Sequence, residues 1–201
     1  MILLELFKGT GSVGNVFEKQ HWDIISVDIE KKFNPTICID ILDWDFHSPS
    51  IPIPDFIWAS PPCHTFSKLA YKLKERNTRN AEPYSDRAIQ GTKILYKTIE
   101  IIEYFSTINP NLKFVIENPV GMMRCDSKIK NYDRYTTYYC HYEDTRKKPT
   151  DLFSNFNLSL LPPKCNHKTH DKIANMSSIT EKYKIPTKLI EQIFKDYSTQ
   201  L

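Results

Sequence analysis

Three of the five glycines in this chain lie close together, at Gly9, Gly11 and Gly14. They follow an apolar run, residues 2–7, that is typical of a buried strand, and residues 13–20 have the pattern of a helix opening. Because glycine lacks a Cβ atom, it permits left-handed backbone conformations and close approaches that other residues exclude. The sequence therefore predicts a strand, a tight glycine turn and a helix over residues 2–20.

Short apolar segments and helical patterns alternate along the rest of the chain. Strands are predicted at residues 23–27, 36–39, 55–59 and 113–116, each followed by a polar residue, and later at 132–142 and after Pro149. Helices are predicted over residues 86–108, where Ile89, Leu95, Ile99, Ile102 and Phe105 recur at helical spacing, and over 187–197. This alternation is typical of an α/β domain with a mainly parallel sheet and helices on both faces, whose ligands lie at the carboxyl ends of the strands. Residues 68–85 are rich in Lys and Arg without apolar periodicity, and we expect a mobile loop there.

Composition places the chain among folded, water-soluble proteins. It has 201 residues, of which 40% are hydrophobic and 25% charged, enough for one domain with a small appendage. No segment approaches the roughly 20 apolar residues that span a bilayer, so no membrane association is expected. Five cysteines are an odd number, which argues against a disulfide framework and favours a reducing intracellular compartment, cytoplasm or nucleus.

Charge is divided unequally along the chain. Residues 1–60 carry 4 Lys or Arg against 9 Asp or Glu, whereas the remaining residues carry 23 against 15. The basic part suits a polyanionic partner, because each phosphate contact favours a Lys or Arg. A solvated basic surface with no partner accounts for the same numbers.

The most specific motif follows the third of these strands, the one at 55–59. Pro61 and Pro62 stiffen the chain directly after it and present Cys63 at the carboxyl edge of the sheet. The strand at 113–116 brings Glu117 and Asn118 to the same edge. A cysteine nucleophile that attacks an electron-poor ring needs an acid partner, which Glu117 would supply. The alternative is that Cys63 is a small buried hydrophobe.

The glycine turn points to a nucleotide-like cofactor. A glycine turn between a strand and a helix brings backbone amides close to such a ligand. Residues 7–12 lack the lysine and hydroxyl spacing of a phosphate-binding loop, so a nucleoside cofactor without a triphosphate fits better. Asp28 is placed to bind ribose hydroxyls and Asp40 an adenine amino group, although both are also typical of solvated strand ends.

Taken together, these motifs resemble those of the cytosine-C5 DNA methyltransferases. Residues 4–12 are similar to the family's strand followed by Phe-x-Gly-x-Gly, residues 60–67 to its Pro-Cys-x-x-Phe-Ser motif, and residues 117–118 to its Glu-Asn motif. The resemblance implies a Rossmann-like methyltransferase fold and S-adenosylmethionine as cofactor. It also implies methyl transfer to C5 of a flipped-out cytosine in DNA through a covalent cysteine adduct.

The resemblance also implies the site residues. Cys63 would be the nucleophile, Glu117 would contact N3 of the base, and Asn118 would complete the catalytic set. The cofactor would be lined by Phe7, Gly9, Thr10, Gly11, Ser12, Asp28, Ile29, Asp40, Ile41 and Pro61. Separately, the basic loop directly after Cys63 is placed to close over the substrate, and the residues expected to contact nucleic acid are Ser67, Lys68, Lys72, Lys74, Arg76, Arg79, Arg146 and Lys148. The family's paired arginines are absent from residues 136–142, and Arg134, Arg146 or Lys148 would substitute for them.

The region after residue 150 is short for this family. We expect a methyltransferase core at 1–150, a reduced recognition region at 151–180 and a C-terminal helix returning to the core at 181–201. A partner chain or a homodimer would supply further target recognition. Cys140, Cys165, His167 and His170 offer ligands for a structural zinc ion, against the alternative of surface histidines and a buried thiol.

Three other functions stay open at this point. A related branch of the family acts on transfer RNA, so RNA is not excluded as the substrate. The stretch Ser60-Pro61-Pro62 also resembles the motif of amino methyltransferases that act on cytosine N4. A catalytically silent relative that binds DNA is the third alternative.

Overall fold

One seven-stranded sheet forms the centre of the part of the chain that the structure describes. The computed structural model describes residues 1–162, 164, 165, 167, 169, 170, 181 and 183–200. The strands are β1 (Ile2–Leu6), β2 (Asp23–Asp28), β3 (Ile37–Cys38), β4 (Phe56–Ala59), β5 (Lys113–Pro119), β6 (Asp133–Tyr138) and β7 (Pro149–Ser154). Their order is β3-β2-β1-β4-β5-β7-β6. The first five strands pair in parallel, and β7 is antiparallel to both of its neighbours.

The helices that accompany the sheet are α1 (Gly14–Glu18), α2 (Lys68–Lys72), α3 (Asp86–Ile108) and α4 (Thr187–Ser198). The sequence predicted the bounds of α3 correctly. Helix α3 begins where it does because the Ser85 hydroxyl accepts a hydrogen bond of 3.1 Å from the Ala88 backbone N–H. Ile89 was predicted on its buried face but is 41% exposed, so its side chain does not belong to the core.

Alternate residues of the strands pack against opposite faces of the sheet. On one face, Leu4, Ile57 and Ile116 belong to a cluster with the apolar residues of α3. On the other face, Leu3, Trp58, Val115 and Leu152 belong to a cluster with α1 and α4. This two-residue alternation puts helices on both faces and confirms the predicted α/β, Rossmann-like fold class.

The topology collects the predicted motifs at one edge. Strand β1 has β2 on one side and β4 on the other, so the strand order reverses there. In open parallel sheets, ligands bind outside the carboxyl ends of the strands at this switch point. The glycine turn, Asp28, Cys63 and Glu117 all lie at or directly after those carboxyl ends.

Residues 68–85 differ from the mobile loop that was predicted. The segment contains α2 and an isolated bridge between Arg76 and Pro83. Ala70 and Ala81 are buried against Met122. The sequence did not predict this packing because the segment has no periodic apolar stripe. A buried guanidinium and two alanines hold it instead.

The predicted boundary between residues 150 and 151 falls inside β7. Because this strand pairs with both β5 and β6, the core continues to Ser154. Residues 171–180, in the predicted recognition region, lie outside the described residues. Among the described residues, no helix is both long and apolar enough to cross a membrane.

Candidate active site

Cys63 follows β4, and Glu117 lies in the neighbouring strand β5. Ala59 at the end of β4 pairs with Ile116 of β5, so the chain after β4 starts beside Glu117. The side-chain amide of Asn118 donates a hydrogen bond of 2.9 Å to the Pro61 carbonyl. The loop that carries Cys63 is therefore fastened to the strand that carries Glu117, and the predicted catalytic residues lie at one edge.

A tight turn follows Cys63. Its carbonyl accepts hydrogen bonds from the backbone N–H groups of Phe66, at 3.0 Å, and Ser67, at 2.9 Å. The Phe66 carbonyl in turn accepts one of 2.6 Å from Met122, which follows β5. A Cβ atom at Gly121 would lie 2.1 Å from that same carbonyl, so only glycine permits this approach.

The Arg76 side chain also holds the turn that follows Cys63. Its guanidinium donates to the carbonyls of Thr65, Ala81 and Ala88 and to the hydroxyls of Thr65 and Thr92, at 2.5–3.1 Å. It also lies 3.8 Å from the centroid of the Phe66 ring. Burial lowers the pKa of Arg76 to about 10, so the group stays charged near neutral pH. All five of its N–H groups serve the protein itself.

Glu117 is buried beside a phenol and a cation. The Tyr139 hydroxyl donates a hydrogen bond of 2.8 Å to Glu117 Oε1. Lys148 Nζ lies 3.6 Å from the same oxygen and 4.6 Å from the centroid of the Tyr139 ring. Burial, with the charge of Glu117, raises the pKa of Tyr139 well above its usual value, so Tyr139 remains a donor.

The charges of Lys148 and Glu117 also act on the Cys63 thiol. Burial raises its pKa, the positive charge of Lys148 lowers it, and the negative charge of Glu117 raises it. Of the three residues expected to substitute for the paired arginines, Lys148 is thus one whose charge acts on the predicted nucleophile. Arg134 is exposed on β6, and Arg146 is 2% exposed with its guanidinium paired to Asp144.

The glycine turn bends sharply after β1. Phe7, Gly9 and Gly11 have φ angles of 63°, 48° and 68°, and the strain at Phe7 is of a kind that clusters at functional sites. The two oxygens of Asp28 accept hydrogen bonds of 2.8 Å from the backbone N–H groups of Gly9 and Glu30. Asp28 therefore holds the turn against the end of β2.

The other residues predicted to line a cofactor are divided between two places. Asp28 pairs with Cys38 across β2 and β3, so the ends that carry Asp28, Ile29 and Asp40 are adjacent. Ile29 is 63% exposed, whereas the Ile41 side chain is buried in the core and offers only its backbone. Thr10 and Ser12 line a separate cleft of about 400 Å³ with residues of the C-terminal segment, and Ser12 accepts a hydrogen bond of 3.3 Å from the Ile185 N–H.

The probable DNA (cytosine-5)-methyltransferase of Frog virus 3 (isolate Goorha) is 32% identical over 171 residues, which cover 82% of this chain and 75% of the viral protein. The chain belongs to the cytosine-C5 DNA methyltransferase family. This confirms the family that the motifs predicted. A scan of family models returned no match.

Solved structures support the fold of this family member. The Dnmt2 methyltransferase of S. pombe matches 80% of this chain with a TM-score of 0.52 at 16% identity. A mutant DNMT2 of Spodoptera frugiperda matches 80% with a TM-score of 0.51 at 18% identity. The chain spans about half the length of these two proteins, 51% and 52%.

The residues predicted to contact nucleic acid separate into three groups. Lys68, Lys72, Lys74 and Arg79 are exposed, and Ser67 is half-buried at the start of α2. Arg76 and Arg146 are buried, because their guanidinium groups bind carbonyls and, for Arg146, the Asp144 carboxylate. These two positions are corrected from surface contacts to internal ones. Lys148 is half-buried beside Glu117.

The four predicted metal ligands lie together in the structure. The Cys165 sulfur is 3.3 Å from the Cys140 sulfur, 3.4 Å from His167 Nδ1 and 3.0 Å from His170 Nε2. All four ligand atoms lie within 4.8 Å of one another. The four residues that the sequence grouped as candidate metal ligands are therefore adjacent in the structure.

Sequence reasoning missed Tyr139, Gly121 and Glu5. No signal distinguished Tyr139 from the other tyrosines of its segment. Gly121 was visible as one of only five glycines, directly after the Glu-Asn-Pro stretch. Glu5 was visible as an acid inside an apolar strand, and it is 2% exposed beneath the glycine turn, where it accepts a hydrogen bond of 3.3 Å from the Gly14 N–H.

Proposed function

We propose that this chain transfers a methyl group from S-adenosylmethionine to C5 of cytosine in DNA, with Cys63 as nucleophile and Glu117 as acid. The observation that carries the proposal is the placement of Cys63 and Glu117 at one sheet edge, tied together by the bond from Asn118 to Pro61. Lys148 adds a positive charge that acts on both groups. Burial and the negative charge of Glu117 raise the pKa of the Cys63 thiol, and the positive charge of Lys148 partly offsets that rise.

The ends of β1 and β2 fit the cofactor. A Cβ atom at Gly9 would meet only the Phe7 carbonyl, at 3.9 Å, so a ligand has room beside the turn. Each Asp28 oxygen accepts one backbone N–H and keeps a lone pair for a ribose hydroxyl. The exposed Ile29 side chain offers an apolar surface to a base. When bound, S-adenosylmethionine supplies an electrophilic methyl group on its sulfonium.

Cys63 and Glu117 would make the cytosine ring reactive. Addition of the Cys63 thiolate to C6 forms a sulfur–carbon bond, while a proton held by Glu117 at N3 neutralises the charge that develops on the ring. C5 then becomes nucleophilic. After methylation, loss of the C5 proton to a base expels the Cys63 thiolate. Asn118 acts as a positioning residue through its bond to Pro61.

DNA is the proposed substrate for two reasons. The Frog virus 3 relative is named as a DNA methyltransferase. In addition, four exposed basic side chains, Lys68, Lys72, Lys74 and Arg79, follow Cys63 closely in the chain, where they can pair with phosphates. A base in a duplex must be flipped out, at a cost of a few kcal/mol that such contacts offset.

The test incubates the protein with methyl-labelled S-adenosylmethionine and separate DNA and RNA pools, followed by nucleoside mass spectrometry. We expect 5-methylcytosine in DNA. A 5-methylcytosine peak in RNA alone would identify RNA, not DNA, as the substrate. A peak of N4-methylcytosine would show that the reaction methylates N4 and not C5. No product in either pool, with cofactor binding confirmed by calorimetry, would overturn the proposal in favour of a silent relative.

Two cysteine variants distinguish methyl transfer through a covalent cysteine adduct from transfer without one. Cys63→Ser is expected to abolish transfer without changing cofactor affinity, and Cys125→Ser, a half-buried thiol outside the site, keeps activity. DNA that contains 5-fluorocytosine should trap the parent protein and the Cys125 variant as a stable adduct. Activity retained in the Cys63 variant would exclude the cysteine mechanism.

A further inference from the structure

The Cys140, Cys165, His167 and His170 cluster has the chemistry and size of a tetrahedral metal site. With Zn–S bonds of about 2.3 Å and Zn–N bonds of about 2.0–2.1 Å, ligand atoms around a tetrahedral zinc ion lie roughly 3.3–3.8 Å apart. The Cys165 sulfur lies 3.3, 3.4 and 3.0 Å from the other three ligand atoms. One ion could contact all four if the Cys165 sulfur moved away from the other ligand atoms by a few tenths of an ångström and the widest separation, which is at most 4.8 Å, shortened to about 3.8 Å.

The donor set selects the metal. Two thiolates and two imidazoles form a Cys₂His₂ set, which is typical of structural zinc, whereas Mg²⁺ and Ca²⁺ prefer oxygen ligands. The two thiolate charges balance the divalent ion, so the site is neutral when occupied. A disulfide between Cys140 and Cys165 would require the sulfurs to approach to about 2.05 Å, well below the observed 3.3 Å.

The described residues of the segment that carries three of these ligands contribute little to the hydrophobic core. Between Leu158 and Ile185, none of the described side chains is buried. Two hydrogen bonds between side chain and backbone hold the start of the segment, from Thr137 Oγ1 to the Leu161 carbonyl at 2.9 Å and from the Leu161 N–H to the Tyr142 hydroxyl at 3.0 Å. Near its end, the Arg146 guanidinium donates to the carbonyls of Glu181 and Lys184 at 2.8 and 2.7 Å. Because these described residues bury no side chain, a bound metal ion would add folding energy that their own packing does not supply.

We propose that Cys140, Cys165, His167 and His170 bind one structural zinc ion that fixes this segment to the turn at Tyr139–His141. The ion joins two parts of the chain separated by 25 residues in sequence, as the Cys140–Cys165 contact shows. Because Cys140 directly follows Tyr139, the ion also holds the backbone from which the Tyr139 hydroxyl reaches Glu117. The zinc site is independent of the proposed methyl transfer, since it depends only on these ligands.

The first test measures zinc in the full chain purified under reducing conditions without chelators. We expect one zinc ion per chain by inductively coupled plasma mass spectrometry. Replacement by Co²⁺ should give the visible d–d bands of a tetrahedral site and a thiolate-to-metal band in the near ultraviolet. Absence of zinc, together with failure of the reduced protein to bind Co²⁺, would overturn the proposal.

Matched variants assign the ligands. Cys165→Ser and His170→Ala should each lose the ion or its tetrahedral cobalt spectrum, whereas Cys125→Ser and His47→Ala, which lie outside the cluster, keep both. Full retention of one zinc ion and the same spectrum in the two cluster variants would refute the assignment.

Hydrogen exchange tests separately whether the zinc ion holds the turn at Tyr139–His141. Removal of zinc by a chelator under reducing conditions should increase hydrogen exchange in peptides covering residues 139–142, where the Tyr139 N–H now donates to the Lys148 carbonyl at 3.1 Å. The melting temperature should fall by about 5 °C or more. Unchanged exchange after complete zinc loss would refute the role in holding the turn.

Discussion

The Tyr139 hydroxyl donates a hydrogen bond of 2.8 Å to Oε1 of Glu117, and both side chains are buried. Lys148 Nζ lies 3.4 Å from that hydroxyl and 3.6 Å from Oε1, so one cation serves both groups. A buried carboxyl held by one donor and one cation has a fixed orientation. The acid that the proposed chemistry needs at N3 of cytosine is thereby positioned before the base arrives.

Replacement of Tyr139 by phenylalanine removes this donor and keeps the ring. Hydrogen bonds to charged groups contribute about 1.5–3 kcal/mol, so we expect the methyl transfer rate of Tyr139→Phe to fall roughly 10- to 100-fold, with cofactor affinity unchanged. Single-turnover kinetics measures the rate. Tyr135→Phe is the matched control, because its hydroxyl bonds Asn157 instead. Equal rates in Tyr139→Phe and the parent protein would show that this bond does not orient Glu117.

Replacement of Lys148 by methionine removes the charge and keeps most of the side-chain volume. Because the positive charge of Lys148 lowers the pKa of Cys63, its loss should raise that pKa further. The rate of Cys63 alkylation by iodoacetamide, followed by peptide mass spectrometry, should therefore shift to higher pH. Lys147→Met changes an exposed neighbour and should leave the profile in place. A profile that does not move in Lys148→Met would remove Lys148 from the site.

Replacement of Arg76 by lysine should destabilise the whole protein. Lysine cannot satisfy the carbonyls of Thr65, Ala81 and Ala88 together, and we expect a loss of about 3 kcal/mol in the free energy of unfolding. That corresponds to a fall of roughly 6–12 °C in melting temperature, measured by calorimetry. Arg79→Lys, at an exposed position of the same segment, should change stability by less than about 0.5 kcal/mol. Similar small effects in both variants would contradict the role of Arg76.

Glu5 should make stability depend on pH. Burial raises its pKa from 4.5 to about 7, although hydrogen bonds from the Gly14 and Val13 backbones lower it. Between pH 4.5 and about pH 7, the Glu5 carboxyl is protonated in the folded chain and ionised in the unfolded chain. The free energy of unfolding therefore falls as pH rises through this range, by about 3 kcal/mol, and levels off above about pH 7.

The variant Glu5→Gln tests this dependence. At about pH 8 we expect Glu5→Gln to be more stable than the parent protein by about 3 kcal/mol, and at about pH 4.5 the difference should nearly vanish. Denaturant unfolding at both pH values measures it, with the exposed Glu18→Gln as control. A constant difference across this range would mean that Glu5 does not titrate in the folded protein.

Local patterns in the sequence determined the family, the fold class and the positions of the main motifs. The glycine turn, the Pro-Pro-Cys stretch and the Glu-Asn pair act through backbone geometry over a few residues, so each is readable without its neighbours. The bounds of α3 were also local, since Ser85 caps one end and Asn109-Pro110 follows the other. The four Cys and His residues of the proposed zinc site were identifiable from their residue types alone.

Only the tertiary structure decided which charged residues face solvent and which serve the interior. Arg76 and Arg79 are three residues apart in one basic segment, yet Arg76 is buried against Phe66 and Arg79 is exposed. Lys148, which directly precedes β7, lies beside Glu117 because β7 pairs with β5. The partners of a charged side chain come from strands distant in sequence, so the residue type alone does not identify them. A turn or a helix cap, in contrast, is specified by the residues that form it.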